Sequence, residues 1–109
     1  MGKSNRVIIM KTVSIKPSEA KQGDIIKFWG YTFKLGAITK HEPSAHKLEH
    51  GQDYEKLPVY TCFGECIDQD EQIKNDSYFN SHKDSEGNQL PTGWKFQGND
   101  NATWEKVIG

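Results

Sequence analysis

The chain has 109 residues, of which 34% are hydrophobic and 27% charged, a composition that fits one globular domain and is not polar enough for a disordered chain. Its formal net charge of −1 excludes the basic coat of a general nucleic-acid-binding protein. The sequence lacks an apolar run of the roughly 18 residues that a membrane span requires. Val7–Met10 is too short for a signal-peptide core, so we predict a cytoplasmic protein without membrane association.

The first predicted elements are a strand and a single helical turn. Val7 to Ile15 is rich in β-branched residues and predicts a strand. Pro17 ends this strand, because proline lacks the amide proton of a sheet ladder. Residues 16–24 then predict one short helical turn that ends at Gly23. Met10 is a second candidate start, so we interpret residues 1–9 as an N-terminal extension.

A hairpin is predicted next. Ile25–Trp29 and Tyr31–Thr39 are two β-type runs joined at Gly30, and glycine readily adopts the positive φ that a tight hairpin turn needs. Gly36, in the middle of the second run, predicts a β-bulge or a close approach of another backbone. Period-two alternation predicts an inward face formed by Tyr31, Phe33, Leu35 and Ala37.

The remaining elements alternate between helices, strands and turns. Ser44 and Gly51 bracket a predicted helix of about two turns, and Val59–Asp68 resumes the strand pattern. Residues 69–93 are predicted to be a long polar connection that contains a short helix near 71–80. Trp94–Ile108 repeats the hairpin pattern around the turn residues 98–101.

These elements predict a mainly β (or α+β) fold that occupies residues 1–109 as a single domain. Isoleucine and valine together outnumber leucine thirteen to four, which favours strands because β-branched side chains fit a pleated surface. We expect a small antiparallel sheet of five or six strands, SH3-like or a partly open barrel, with one or two short helices in its connections.

Three histidines are candidates for a metal site. On a helix, His46 and His50 share one face and would be able to hold a metal ion together. The glutamate of a zinc-protease motif does not stand between them, so solvated surface histidines are the favoured interpretation. We predict no catalytic residue, no metal and no cofactor. The alternative is a small metal-dependent hydrolase or nuclease that uses His41, His46 or His50 with the carboxylates of residues 68–71.

Cys62 and Cys66 lie four positions apart in a predicted strand. At ~3.3 Å per residue they stand about 13 Å apart on one face of the sheet, too far for a disulfide or for a shared zinc ion. Cytoplasmic thiols stay reduced. We therefore predict two buried thiols that pack as small hydrophobic side chains.

Aromatic residues concentrate at the two predicted hairpin turns. Trp29 and Tyr31 bracket Gly30, while Trp94 and Trp104 flank the second turn. Large rings beside a turn are hard to bury completely, and tryptophan and tyrosine are frequent hot spots of protein interfaces. We predict that the tip of the first hairpin is part of a binding surface formed by Trp29, Tyr31, Lys27, Lys34, Trp94 and Trp104.

Two short segments resemble a group of known proteins. Residues 21–30 (KQGDIIKFWG) and residues 93–104, which open with GWKFQGN, are similar to small phage- and prophage-encoded β-rich accessory proteins. Some of those proteins act against host defence or host regulators. The resemblance implies a phage- or mobile-element-encoded protein that works in the cytoplasm of a bacterial host, and it supplies no functional residue.

We therefore predict a non-enzymatic binding protein that acts by contact with a host protein. A module that binds single-stranded nucleic acid is the first alternative, because bases stack on aromatic rings and lysines attract the backbone; the lysines beside the hairpin aromatics are Lys27, Lys34, Lys40 and Lys95. The hydrolase or nuclease described above is the second alternative. Exposed strand edges also leave homodimerisation through strand pairing open.

Overall fold

A computed structural model of the chain describes residues 11–76, 79 and 83–108. The predicted extension, residues 1–9, lies outside the described residues, as does the first part of the predicted strand Val7–Ile15. The described part of this strand is β1, Thr12–Ile15. A 3-10 helix, Pro17–Glu19, follows it, and the prediction of a short helical turn before Gly23 is thereby confirmed.

The first predicted hairpin is present. Strands β2, Ile25–Phe28, and β3, Tyr31–Leu35, pair in antiparallel register with Phe28 opposite Tyr31. The two residues between them, Trp29 and Gly30, have φ angles of 53° and 80°. Positive φ at both positions defines the type I′ turn, whose twist matches that of the flanking strands.

A β-bulge interrupts the sheet at Gly36, as the sequence predicts. Strand β3 and the next strand, β4 (Thr39–His41), pair along the same edge of the long strand β5 (Val59–Cys66). Leu35 lies opposite Gly64, and Thr39 lies opposite Thr61. The segment from Leu35 to Thr39 therefore advances by four residues, while the facing part of β5 advances by three. One residue is therefore extra, which is the definition of a bulge.

The bulge changes which side chains point inward beyond Leu35. The amide of Gly36 donates a hydrogen bond to the carbonyl of Phe63 at 2.7 Å, after which the extra residue shifts the alternation by one. The prediction of an inward Ala37 is therefore wrong: Ala37 is exposed, and Ile38 packs against the core in its place.

The prediction that Trp94–Ile108 forms a second hairpin is wrong. This segment contains β6, Gly93–Gly98, and β7, Trp104–Val107, but the register of the described strands pairs β6 with β5 and β7 with β1 and β2. The reason is that β5 is eight residues long and offers a second edge along which β6 extends the sheet. The five residues 99–103 then carry the chain across to β1 and β2.

Within the described residues the sheet has seven strands: β1, β7, β2, β3 and β5 follow one another across it, β4 pairs with the same edge of β5 as β3 does, and β6 pairs with the other edge of β5. Every pairing is antiparallel. The predicted mainly β class with short helices is confirmed, with more strands than the five or six expected. The described strands do not close into a barrel, since β1 and β6 stand at opposite edges of the sheet.

Two short α-helices lie in the connections. Helix α1, Ala45–His50, begins after Ser44, whose hydroxyl accepts a hydrogen bond from the Lys47 amide, and it ends at Gly51 as predicted. Helix α2, Glu71–Asn75, begins after Asp70 and buries Ile73. A 3-10 helix, Asp53–Lys56, leads from α1 toward β5. Within the described residues, no helix is long and apolar enough to cross a membrane.

One face of the sheet carries the core, which is formed by Ile26, Phe33, Leu35, Cys62, Cys66, Ile73, Phe79 and Phe96. Ile73 of α2 and the neighbouring Phe79 cover this face at the end where the β2–β3 turn lies, so the turn of the hairpin is brought against the 69–93 connection. Pro17 of the first 3-10 helix is buried near Gly98 of β6. The core thus ends in a group of rings beside the hairpin turn.

Candidate functional site

Trp29 is the most unusual residue of the molecule. Its φ of 53° places a bulky side chain in the left-handed region, which costs an L-residue other than glycine on the order of 1–2 kcal/mol. Its side chain is nevertheless 67% exposed, the highest value among the large hydrophobic residues that the structure records as exposed. A strained backbone that presents an exposed tryptophan indicates a functional position.

The ring of Trp29 lies in a group of aromatic side chains that we call the tip cluster: Phe28, Trp29, Phe79 and Trp94. Phe28 stacks on Trp29 with 5.2 Å between ring centroids and 12° between planes. Trp94 and Phe79 approach Trp29 at 5.8 and 6.4 Å. Phe28 also contacts Phe96 at 5.6 Å, so the cluster is continuous with the core. The exposed ring therefore rests on a rigid apolar base.

A first cavity opens where β2 and β7 diverge, and we call it the seam cleft. The two strands pair at Ile26↔Lys106 and Lys27↔Glu105, and the pairing ends there. Beyond that point a cleft of about 360 Å³ is lined by the rings of Phe28, Trp94, Phe96 and Trp104. This volume falls in the lower part of the range of sites that hold a small molecule or a large side chain.

A second cavity, which we call the tip pocket, lies between the hairpin turn and helix α2. It has a volume of about 220 Å³ and is lined by Trp29, Tyr31, Gln72, Ile73, Asp76 and Phe79. The rings of Trp29 and Phe79 meet at an interplanar angle of 79°, so they form two nearly perpendicular walls. Trp29 thus borders the tip pocket and packs on rings that line the seam cleft.

Acidic residues fix the geometry of the tip pocket. The hydroxyl of Tyr31 lies 3.1 Å from each carboxylate oxygen of Asp70. The same carboxylate accepts a hydrogen bond from the amide of Ile73 at the start of α2. Loss of solvation, the hydrogen bond to Asp70 and the surrounding negative charges raise the pKa of Tyr31. The helix and the hairpin are therefore joined through one aspartate.

Asp68 makes a second link between this connection and the hairpin. Its carboxylate accepts a hydrogen bond of 2.8 Å from the amide of Thr32. Burial alone would raise the pKa of the Asp68 carboxyl, but the hydrogen bonds from Thr32 outweigh burial and lower it below its ordinary value. The carboxylate therefore stays ionised near neutral pH and holds the segment before α2 against β3.

The four predicted aromatic site residues come together; of the two predicted lysines, Lys27 lines the seam cleft with them and Lys34 does not join them. Trp29 contacts Trp94, and Trp94 and Trp104 line the same cleft; Tyr31 lines the tip pocket beside Trp29. Lys34 lies on the opposite face of the sheet, where it borders a broad depression of about 660 Å³. Lys27 reaches back from β2 to the carbonyl of Gly30, with 3.4 Å between nitrogen and oxygen.

Each of these lysines is opposed by a glutamate. Lys27 lies directly across from Glu105 in the β2–β7 register, and Lys34 across from Glu65 in the β3–β5 register. Residues that face each other across an antiparallel pair are close neighbours on one face of the sheet. This arrangement leaves these positions electrically balanced.

The candidate histidines lie away from both cavities. His46 and His50 are neighbours on α1, with 5.0 Å between ring centroids, and both are exposed. Within the part of the chain that the structure describes, no group of three or more side chains is placed to hold a metal ion. His41 of β4 lies opposite Val59, and its ring nitrogen Nε2 shares a hydrogen bond with the hydroxyl of Thr61. It is separated from Asp68 by the length of β5, about 23 Å at ~3.3 Å per residue.

Both cysteines are buried and free, as predicted. The register places Cys62 opposite Phe96 and Cys66 opposite Phe33, on the core face of the sheet. Burial raises the pKa of each thiol to about 11. At neutral pH these thiols are protonated and pack as hydrophobic side chains.

Sequence reasoning missed three contributors to the site. Phe28 reads as an ordinary strand residue, and Phe79 lies in the predicted polar connection, so neither was assigned to a binding surface. Asp70 is among the carboxylates of residues 68–71 that the hydrolase alternative uses, although its position three residues before Ile73 is typical of a helix N-cap. That spacing predicts the start of α2, but it does not place the helix beside the hairpin.

Comparison of the chain with protein families, with curated proteins and with solved structures yields no match in any of the three. The resemblance to phage and prophage accessory proteins therefore stays a prediction.

Proposed function

We propose that this protein is a non-enzymatic binding protein and that the surface around Trp29 is where it contacts a partner protein. The observation that carries the proposal is the strained, exposed Trp29 at the apex of a type I′ turn. An asparagine at this position would relieve the strain. The presence of tryptophan at this strained position is accounted for if the ring itself makes the contact.

Trp29 has the properties of an interface hot spot. Tryptophan and tyrosine dominate binding energy when they are held rigidly and enter a pocket or a groove of the partner. Phe28 and Trp94 hold the Trp29 ring in one orientation, so little side-chain entropy remains to be lost on binding. Following the resemblance noted above, we propose a host protein as the partner.

Two observations favour a protein partner over single-stranded nucleic acid. Lys27 and Lys34 stand opposite glutamates, which reduces the attraction for phosphate on which such binding depends. The segment beside Trp29 is acidic, with Asp70 and Asp76 at the tip pocket. A hydrolase or nuclease is disfavoured because His41 and the carboxylates of residues 68–71 lie at opposite ends of β5.

The test is a quantitative affinity capture from an extract of the native host with three forms of the protein: wild type, Trp29→Ala and Tyr54→Ala. Tyr54 is a matched control, since it is also aromatic and 52% exposed but lies in the 3-10 helix Asp53–Lys56. We expect a protein that wild type and Tyr54→Ala retain and Trp29→Ala loses. Equal retention of every captured protein by all three forms contradicts the proposal.

A further inference from the structure

We infer that the tip pocket receives a positively charged side chain, lysine or arginine, of the partner protein. This inference rests on the proposed function and adds the chemistry of the contact to it. Three features of the pocket point to a cation: the arrangement of its rings, the charge of the segment around it and the hydrogen bond that Tyr31 makes.

The arrangement of rings is suited to a cation. Trp29 and Phe79 form nearly perpendicular walls, and Tyr31 contributes a third ring to the lining. The faces of aromatic rings carry a partial negative charge and attract a cation within about 6 Å of the centroid, most strongly for tryptophan. A volume of about 220 Å³ is large enough for the head of one lysine or arginine side chain.

The charge around the pocket is complementary to a cation. Residues 66–76 contain four carboxylates, those of Asp68, Asp70, Glu71 and Asp76, and one lysine, Lys74. Asp76 lines the pocket directly, and Asp70 lies behind Tyr31. Lys27, the basic residue whose ammonium group lies at the hairpin turn, is bound to the carbonyl of Gly30.

The hydrogen bond from Tyr31 to Asp70 strengthens the attraction. A phenol that donates to a carboxylate gains electron density, so its ring face becomes a better partner for a cation. Loss of solvation is the largest cause of the raised pKa of Tyr31, and the nearby carboxylates of Asp70 and Asp68 add to it. An apolar side chain of the partner would gain nothing from these charges.

The experiment uses small probes whose charge is the variable. The full chain, labelled with nitrogen-15, is titrated with N-acetyl-lysine methylamide and with its neutral counterpart N-acetyl-norleucine methylamide; the arginine and citrulline amides form a second pair. The indole N–H signal of Trp29, assigned by its loss in Trp29→Phe, reports binding. We expect saturable shifts with each charged probe and affinities at least about fivefold weaker for the neutral ones, as cation–π attraction implies.

Variants separate charge from shape. Asp70→Asn keeps a side chain that caps helix α2 and removes one negative charge, so we expect about threefold weaker binding of the lysine probe with an unchanged melting temperature. Asp53→Asn is the matched control, since Asp53 lies in the 3-10 helix before β5, and it should bind as wild type does.

The outcomes distinguish the inference from the proposed function. Equal affinity for charged and neutral probes, or no binding of either, overturns the inference, while loss of the captured partner in Trp29→Ala still supports the binding function. If the lysine preference is observed but Trp29→Ala retains every partner, the pocket binds cations and the proposed function fails.

Discussion

The rings of Phe28 and Trp29 stack with 5.2 Å between centroids and 12° between planes, although the two residues are consecutive in the chain. Consecutive side chains of a strand point to opposite faces. The left-handed φ of Trp29 turns its side chain back over the neighbouring strand residue and makes the stack geometrically accessible. The turn conformation of Trp29 therefore produces the exposed aromatic surface.

The strain at Trp29 predicts an unusual order of stability among substitutions. Trp29→Asn and Trp29→Ala both remove the ring stack, but asparagine tolerates the left-handed region and alanine does not. We expect the asparagine variant to be more stable than the alanine variant by about 1 kcal/mol. Urea unfolding measures the difference.

Tyr54 provides the control for this comparison. It lies in a 3-10 helix and is not among the residues recorded with a positive φ, so Tyr54→Asn should be no more stable than Tyr54→Ala. If alanine equals or exceeds asparagine at position 29 as well, the backbone at the turn is not strained.

Local signals predicted much of this fold. Gly30 marks the hairpin turn, Gly36 marks the bulge, and Ser44 with Gly51 sets the ends of helix α1. Each of these features depends on the conformation of a few neighbouring residues. The class of fold and the position of the first hairpin could therefore be obtained from the sequence.

The partner of each strand could not be obtained in this way. Trp94 and Trp104 have the spacing of a hairpin, yet β6 joins β5 and β7 joins β1 and β2. Strand pairing depends on which edge is free once the rest of the sheet has formed. Phe79 likewise completes the tip cluster through contacts that are distant in sequence. The two cavities follow from these long-range contacts.

Close packing between β5 and β6 predicts that Gly93 does not tolerate a side chain. A Cβ atom at Gly93 would overlap the carbonyl oxygen of Gly64 and lie 2.7 Å from the ring of Phe63. We expect Gly93→Ala to destabilise the protein by about 2–3 kcal/mol in urea unfolding. Gly98→Ala, at the other end of β6, is the matched control.

A Cβ atom at Gly98 would approach other atoms no closer than 3.4 Å, which is ordinary contact. Gly98→Ala should therefore change stability by less than about 0.5 kcal/mol. Equal effects at the two ends of β6 would be inconsistent with the packing described for Gly93.

The link between the first 3-10 helix and the β6–β7 connection predicts a pH dependence. The hydroxyl of Ser18 donates to Asp100 at 2.6 Å, and this hydrogen bond lowers the pKa of the Asp100 carboxyl below its ordinary value of 3.8. A carboxyl whose pKa is lowered by folding stabilises the protein above its unfolded-state pKa. That stability is lost as the pH falls through the lower pKa of the folded state.

We therefore expect Ser18→Ala to be less stable than wild type near neutral pH, by about 1 kcal/mol or less because the pair is partly exposed. The difference should shrink as the pH falls below 3.8. Free energies of unfolding measured at several pH values test this. A difference that is constant with pH would exclude the ionised carboxylate as its source, and Asp100→Asn should abolish most of the pH dependence of the Ser18→Ala effect.

The balanced charges on the outer face predict weak attraction for nucleic acid. Because Lys27 and Lys34 face Glu105 and Glu65, wild type should not bind a single-stranded oligonucleotide even at low salt. The double variant Glu65→Gln, Glu105→Gln removes the two negative charges that face these lysines and should gain binding that weakens as salt increases. Fluorescence anisotropy with labelled oligothymidine measures both. Salt-dependent binding by wild type would favour the nucleic-acid alternative.

Burial of Cys62 and Cys66 predicts protected thiols and a loss of stability at alkaline pH. Since burial raises both pKa values from 9.0 to about 11, the thiolate fraction at slightly alkaline pH falls about 100-fold, and alkylation by iodoacetamide should slow at least as much. A thiol whose pKa is raised by folding contributes stability that is fully present below pH 9.0. That stability is lost as the pH rises through the folded-state pKa of about 11. Mass spectrometry of iodoacetamide-treated protein, with and without denaturant, measures the protection. Rapid labelling of either cysteine in the folded protein, at the rate of the denatured chain, would contradict their placement in the core.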